Sequence, residues 1–104
     1  MTDALAGFIR ALLRGVPGEP YNIGNPTPEI SVVDLVVRLG EVMGRRLDHM
    51  LIEYPDTYPA DEPNRRCPDI RKARLQLGYE PRVELNEGLR RFMIWAQENY
   101  AGKA

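Results

Sequence analysis

The sequence predicts a small α+β domain of four helices with two or three short strands. Apolar residues recur at helical spacing in four segments, most of which are bounded by a capping residue or a glycine. Three shorter segments between them have the extended pattern of strands. A length of 104 residues, with 43% hydrophobic and 28% charged side chains, fits one globular domain with a modest core.

The first helix is expected over residues 3–14, with Thr2 or Asp3 as its N-cap and Gly15 at its end. Its apolar face is formed by Leu5, Phe8, Ile9, Leu12 and Leu13. A helix face of this kind has to pack on something. It packs either on other helices of the chain or on a domain outside these residues.

The second helix has the clearest boundaries. Ser31 is the expected N-cap, Asp34 stands in the capping-box position, and Gly44 is the expected stop. The third helix is short, with Asp69 as its cap and Gly78 at its end. Its inward face is predicted to hold Ile70, Ala73 and Leu77.

The last helix begins at Leu85 or Asn86. Its apolar residues, which we expect in the core, are Leu89, Phe92, Met93, Trp95, Ala96 and Tyr100. The predicted strands are residues 21–24, 48–54 and 79–83. Residues 55–68 hold four prolines and are expected to form a loop.

Composition excludes several classes of protein. A net charge of −1 and a pI of 5.8 give no basis for binding nucleic acid or an anionic membrane. No apolar stretch approaches the length that spans a membrane. One cysteine, Cys67, and one histidine, His49, argue against disulfides and a metal site, so we expect a cytoplasmic protein without a metal.

Arg65 and Arg66 are the candidate binding residues. They lie in the proline-rich loop shortly before the start of the third helix, where a phosphate or carboxylate could meet two guanidinium groups. The alternative is a solvated surface with exposed ion pairs. In it, Arg65, Arg66, Arg71 and Arg74 pair with Asp61, Glu62 and Asp69.

Two motifs of nucleotide-dependent catalysis are missing. The chain has no glycine loop of the dinucleotide-binding type and no Tyr-x-x-x-Lys pair. Lysine occurs only at Lys72 and Lys103, and the residues four positions before them are Pro68 and Asn99. We therefore expect no catalytic residue and no cofactor-binding residue in the chain.

Three segments together resemble one known family. They are Tyr21-Asn22-Ile23-Gly24-Asn25-Pro26, then Pro63-Asn64-Arg65-Arg66-Cys67-Pro68-Asp69-Ile70, and finally Leu85 with Glu87-Gly88-Leu89 and Trp95. They are similar to the C-terminal end of extended short-chain dehydrogenase/reductases that act on nucleotide sugars. The loop that ends at Pro68 is most similar to that of the UDP-glucuronate decarboxylases.

The resemblance implies that residues 1–104 are a truncated C-terminal substrate-binding region without the Rossmann domain. The complete enzyme would be an NAD-dependent decarboxylase, epimerase or dehydratase of a nucleotide sugar, most often a UDP-sugar. Arg66 would contact that substrate, with Arg65 beside it. Tyr58 is the tyrosine nearest to a substrate-contacting position of some relatives. This region by itself would neither bind NAD nor turn over a nucleotide sugar.

A second hypothesis belongs to another class. The chain could be a free-standing helical module that binds another protein and no nucleotide sugar. The apolar face of the first helix suits that function, and it could also pair two chains as a homodimer.

Overall fold

The computed structural model describes residues 1–63 and 65–100, which form four helices. These are α1 (Thr2–Arg14), α2 (Val32–Met43), α3 (Arg71–Leu77) and α4 (Leu85–Tyr100). The chain divides into two compact units. Unit 1 contains residues 1–29 and 67–88, and unit 2 contains residues 30–66 together with the residues from 89 onwards.

The prediction of two or three strands is wrong. Neither residues 1–63 nor residues 65–100 contain a strand, so the fold seen there is helical rather than α+β. Strands need neighbours that complete the hydrogen-bonded ladder. Segment 21–24 is held by side chains: the Asn22 amide donates to the backbone carbonyl of Asp69 at 3.1 Å, and the Tyr21 hydroxyl donates to the Gln76 side chain at 2.7 Å. Every residue of 48–54 is exposed, so its alternation does not bury one face.

The core of unit 1 is built around α3. Its buried residues include Ile70, Ala73, Leu77 and Tyr79, with Ala11, Tyr21 and Ile23 packed against them. The predicted inward face of α3 is therefore confirmed. The hydroxyl group of Tyr79 donates to the carbonyl of Gly24 at 3.1 Å, which satisfies the polar end of this buried side chain.

Helix α1 packs in unit 1 through small residues. Gly7 is buried, and a Cβ atom there would lie 2.3 Å from Cγ2 of Ile23, so the close approach requires glycine. The large apolar side chains of α1 stay exposed: Leu5, Phe8, Ile9, Leu12 and Leu13. Helix α1 therefore packs through the side that contains Gly7, and the side that contains its large apolar residues remains exposed.

The predicted cap of α1 is also wrong. The helix begins at Thr2, and Met1 precedes it without a side-chain cap. Asp3 does not cap the helix. Its carboxylate accepts hydrogen bonds from the backbone N–H groups of Arg82 and Val83 at 3.0 and 2.8 Å. This residue ties the start of α1 to the segment before α4.

The predicted cap of α3 is wrong by one residue, because Ile70 rather than Asp69 is the N-cap, and it makes no side-chain cap hydrogen bond. The remaining helix boundaries follow the sequence closely. Ser31 Oγ accepts from the N–H group of Asp34 at 3.0 Å, and the Asp34 carboxylate accepts in return from the N–H group of Ser31, completing the predicted capping box. Gly44 and Gly78 end α2 and α3 with positive φ angles of 66° and 64°, as predicted. These boundaries are confirmed because they depend on local chemistry alone.

The aromatic residues of α4 do not form a core. The side chains of Phe92, Trp95 and Tyr100 are exposed by 55%, 47% and 62%. They contact one another, with ring centroids of Phe92 and Trp95 5.8 Å apart and those of Trp95 and Tyr100 5.5 Å apart. The expectation that they are buried is therefore wrong.

Candidate functional site

The candidate binding residues lie in the proline-rich loop of unit 2. Two successive turns shape this loop: the N–H group of Tyr58 donates to Pro55 at 2.8 Å, and that of Glu62 donates to Pro59 at 3.2 Å. Both acceptors are proline carbonyls, and proline restricts its own backbone. The loop thereby has a defined course up to Glu62.

Arg66 forms an ion pair with Glu62, four residues earlier. This hydrogen bond is the main cause that raises the pKa of Arg66. The Glu62 side chain is partly covered, at 29% exposed, but the Arg66 side chain is 71% exposed, so water screens the pair from the Arg66 side. A guanidinium carries several N–H donors, more than one carboxylate oxygen can engage. The pair is therefore weak, and an incoming anion can exchange with it.

Tyr58 joins the same cluster. Partial desolvation is the main cause that raises its pKa, the Glu62 carboxylate adds to the rise, and Arg66 opposes it. Tyr58 also stacks on Tyr54, with ring centroids 4.1 Å apart and an angle of 25° between the rings. The structure thus brings together Tyr58 and Arg66, both candidates from the sequence.

The third candidate, Arg65, is exposed and directly precedes Arg66. Sequence reasoning did not assign Tyr54 or Glu62 to the site, and it treated Glu62 as a surface partner of the arginines. One signal could have found both residues. Positions 54, 58, 62 and 66 are four residues apart, and prolines punctuate the segment.

The solvated-surface alternative also has support. Besides the pair of Arg66 with Glu62, Arg71 pairs with Asp69 at 2.5 Å in unit 1. The Asp69 side chain accepts from the Arg71 guanidinium and from its backbone N–H group at 3.0 Å, which lowers the pKa of Asp69 to about 2. The Asp69 carboxylate therefore supplies a negative charge close to the start of α3, which is where the sequence analysis expected a phosphate or carboxylate ligand.

Other reactive side chains have no catalytic setting. The thiol of Cys67 is exposed and lies 3.4 Å from the carbonyl of Pro26, and His49 is exposed. Within residues 1–63 and 65–100, no group of three His, Cys, Asp or Glu side chains could hold a metal ion. None of the helices in that part of the chain is long and apolar enough to cross a membrane.

Comparison with known proteins finds nucleotide-sugar enzymes. The chain is 38% identical to UDP-glucuronic acid decarboxylase 3 of Arabidopsis thaliana over 86% of this chain and 24% of that relative. It is 37% identical to UDP-glucuronic acid decarboxylase 1 of Xenopus tropicalis over 86% of this chain and 20% of that relative. It is 33% identical to dTDP-D-glucose 4,6-dehydratase of Homo sapiens over 95% of this chain and 29% of that relative. No protein-family model matches the chain, and no solved structure matches it significantly.

These matches confirm the resemblance to nucleotide-sugar decarboxylases and dehydratases that the sequence motifs predicted. The chain spans about a quarter of the length of the curated relatives it matches. Most of each relative therefore has no counterpart in these 104 residues.

Proposed function

We propose that this chain, a homologue of one part of the UDP-glucuronic acid decarboxylases, is the sugar-nucleotide-binding region of such an enzyme. The complete enzyme would be an NAD-dependent decarboxylase, epimerase or dehydratase that acts on a UDP-sugar. The chain has no dinucleotide-binding glycine loop and no Tyr-x-x-x-Lys pair for hydride transfer. By itself it would bind the substrate without converting it.

The exchangeable ion pair of Arg66 is the observation that carries this proposal. The pyrophosphate of a sugar nucleotide has more negative charge than the Glu62 carboxylate, and it can accept from two N–H groups of one guanidinium. Because the Arg66 side chain is 71% exposed, water screens the pair and breaking it costs little. Arg65, the adjacent residue, adds a second positive charge. In the bound state Arg66 would exchange its carboxylate partner for a phosphate.

The exposed apolar face of α1 favours a second candidate, a module that binds another protein. The two candidates differ in one simple respect. A substrate-binding region binds UDP or a UDP-sugar, whereas an interaction module is indifferent to nucleotides and binds a protein partner tightly.

Replacing Arg66 by alanine should raise the Kd for UDP about tenfold or more, because hydrogen bonds from a charged donor to a charged acceptor are strong. The measurement is calorimetric titration of the chain with UDP. Arg71→Ala is the matched control, since it removes another exposed guanidinium that is already paired with Asp69. It should change the Kd less than about twofold. Equal small effects of both variants would leave Arg66 as a solvated surface residue.

Glu62→Gln should have the opposite effect on UDP binding. The substitution keeps the size of the side chain but removes the carboxylate that competes with phosphate for Arg66. It also removes a negative charge from the neighbourhood of an anionic ligand. We expect the Kd for UDP to fall about threefold or more at low salt, and the gain to shrink as salt screens the charges. A weaker affinity in Glu62→Gln would mean that Glu62 helps to hold the ligand rather than competing with it.

A further inference from the structure

The stacked pair of Tyr54 and Tyr58 is the feature of unit 2 that the Arg66 proposal leaves without a function. The two rings are nearly parallel, yet the side chains are 75% and 40% exposed. One face of each ring is covered by the other ring. The more exposed member, Tyr54, retains an aromatic face towards solvent.

The pair adjoins the cationic part of the site. Tyr58 closes one turn with the carbonyl of Pro55, the next turn begins at Pro59 and ends at Glu62, and Glu62 pairs with Arg66. The loop therefore presents, in one cluster, an aromatic platform followed by a guanidinium. Tyr54, Tyr58, Glu62 and Arg66 occupy these positions at a regular spacing along the chain.

A nucleoside diphosphate has the matching chemistry, with a flat base at one end and a pyrophosphate at the other. Aromatic side chains bind bases by stacking, and this recognition tolerates any base because each has a π face. We propose that the Tyr54–Tyr58 pair is the platform on which the nucleobase of the sugar nucleotide stacks while Arg66 binds its phosphates. This inference rests on the proposed function, and it assigns a recognition element for the base to Tyr54.

The two tyrosines have different tasks in this arrangement. Tyr54 offers its open face to the base, and Tyr58 supports Tyr54 from the other side. Stacking needs an aromatic ring but no hydroxyl group. Tyr54→Phe should therefore preserve binding, whereas Tyr54→Leu keeps an apolar side chain of similar reach and removes the π face.

The experiment compares three ligands on the complete chain: UDP, uridine and inorganic pyrophosphate. UDP should bind more tightly than pyrophosphate, since only UDP carries a base. Tyr54→Leu should raise the Kd for UDP about fivefold or more, leave the Kd for pyrophosphate unchanged, and abolish any binding of uridine. Tyr54→Phe should restore the affinity for UDP. Circular dichroism establishes that the variants keep the helical content of the parent chain.

Nuclear magnetic resonance of the ligand gives a readout that does not depend on a variant. Stacking on a tyrosine should move the uracil H5 and H6 resonances upfield, and this shift should vanish in Tyr54→Leu. Equal affinities for UDP and pyrophosphate, or unshifted uracil resonances in bound UDP, would overturn the platform and leave the proposed function standing. Absence of binding by both UDP and pyrophosphate would overturn both proposals.

Discussion

Leu77→Ala should destabilise unit 1 by about 2–5 kcal/mol, the usual cost of removing a buried leucine side chain from a core. Leu77 is fully buried, and Ile70, Ala73 and Tyr79 are the other buried members of its cluster. So small a core cannot easily close the resulting cavity. Domains of this size have only a few kcal/mol of stability in reserve, so the loss should unfold much of unit 1 at moderate temperature.

Thermal denaturation followed by circular dichroism measures this loss, and Leu75→Ala is its control. Leu75 lies on the same helix but is 87% exposed, so the same chemical change there should alter stability by less than about 0.5 kcal/mol. Equal shifts for the two variants would mean that α3 is not the centre of the core.

The success of sequence reasoning for α3 has a physical cause. The positions of Ile70, Ala73 and Leu77 lie on one side of a helix, and the boundary at Gly78 arises from local backbone conformation. For α3, the pattern within one short segment was therefore enough to identify the inward side chains. The capping box at Ser31 was predictable for the same reason.

Strands and helix packing depend instead on distant partners. The alternation within residues 48–54 describes a pattern of side chains but specifies no neighbour for its backbone. Likewise, the large residues of α1 indicated the face expected to pack, yet Gly7 decides the contact because it lets Ile23 approach the helix backbone. A close approach through a glycine leaves no apolar signal in the sequence.

The candidate site was open to prediction only in part. Arg65 and Arg66 followed from their place in the loop before α3, and Tyr58 followed from the family resemblance. Their binding of substrate remains a prediction. The stacking of Tyr54 on Tyr58 and the pairing of Glu62 with Arg66 were established only by the structure, in which turns begin at Pro55 and Pro59. Each turn is local, but the cluster includes Tyr54 and Arg66, which are twelve positions apart in the sequence.

The exposed apolar face of α1 should make the chain self-associate as its concentration rises. Leu5, Phe8, Ile9, Leu12 and Leu13 are all at least half exposed, and Leu12 reaches 85%. Continuous apolar surface of this kind favours association because contact removes it from water. Two copies could cover each other's faces through a two-fold symmetric contact, which gives a closed homodimer rather than an open assembly.

Phe8→Glu should return the chain to a monomer, because it places a charge in the middle of that face and the association would bury it. Phe8 is 60% exposed within the chain, so the substitution should leave the fold intact. Sedimentation velocity over a concentration series provides the measurement. Leu75→Glu introduces the same charge at another exposed leucine, on α3, and should leave association unchanged. A chain that stays monomeric at every concentration would exclude the homodimer and remove the main support for the interaction-module hypothesis.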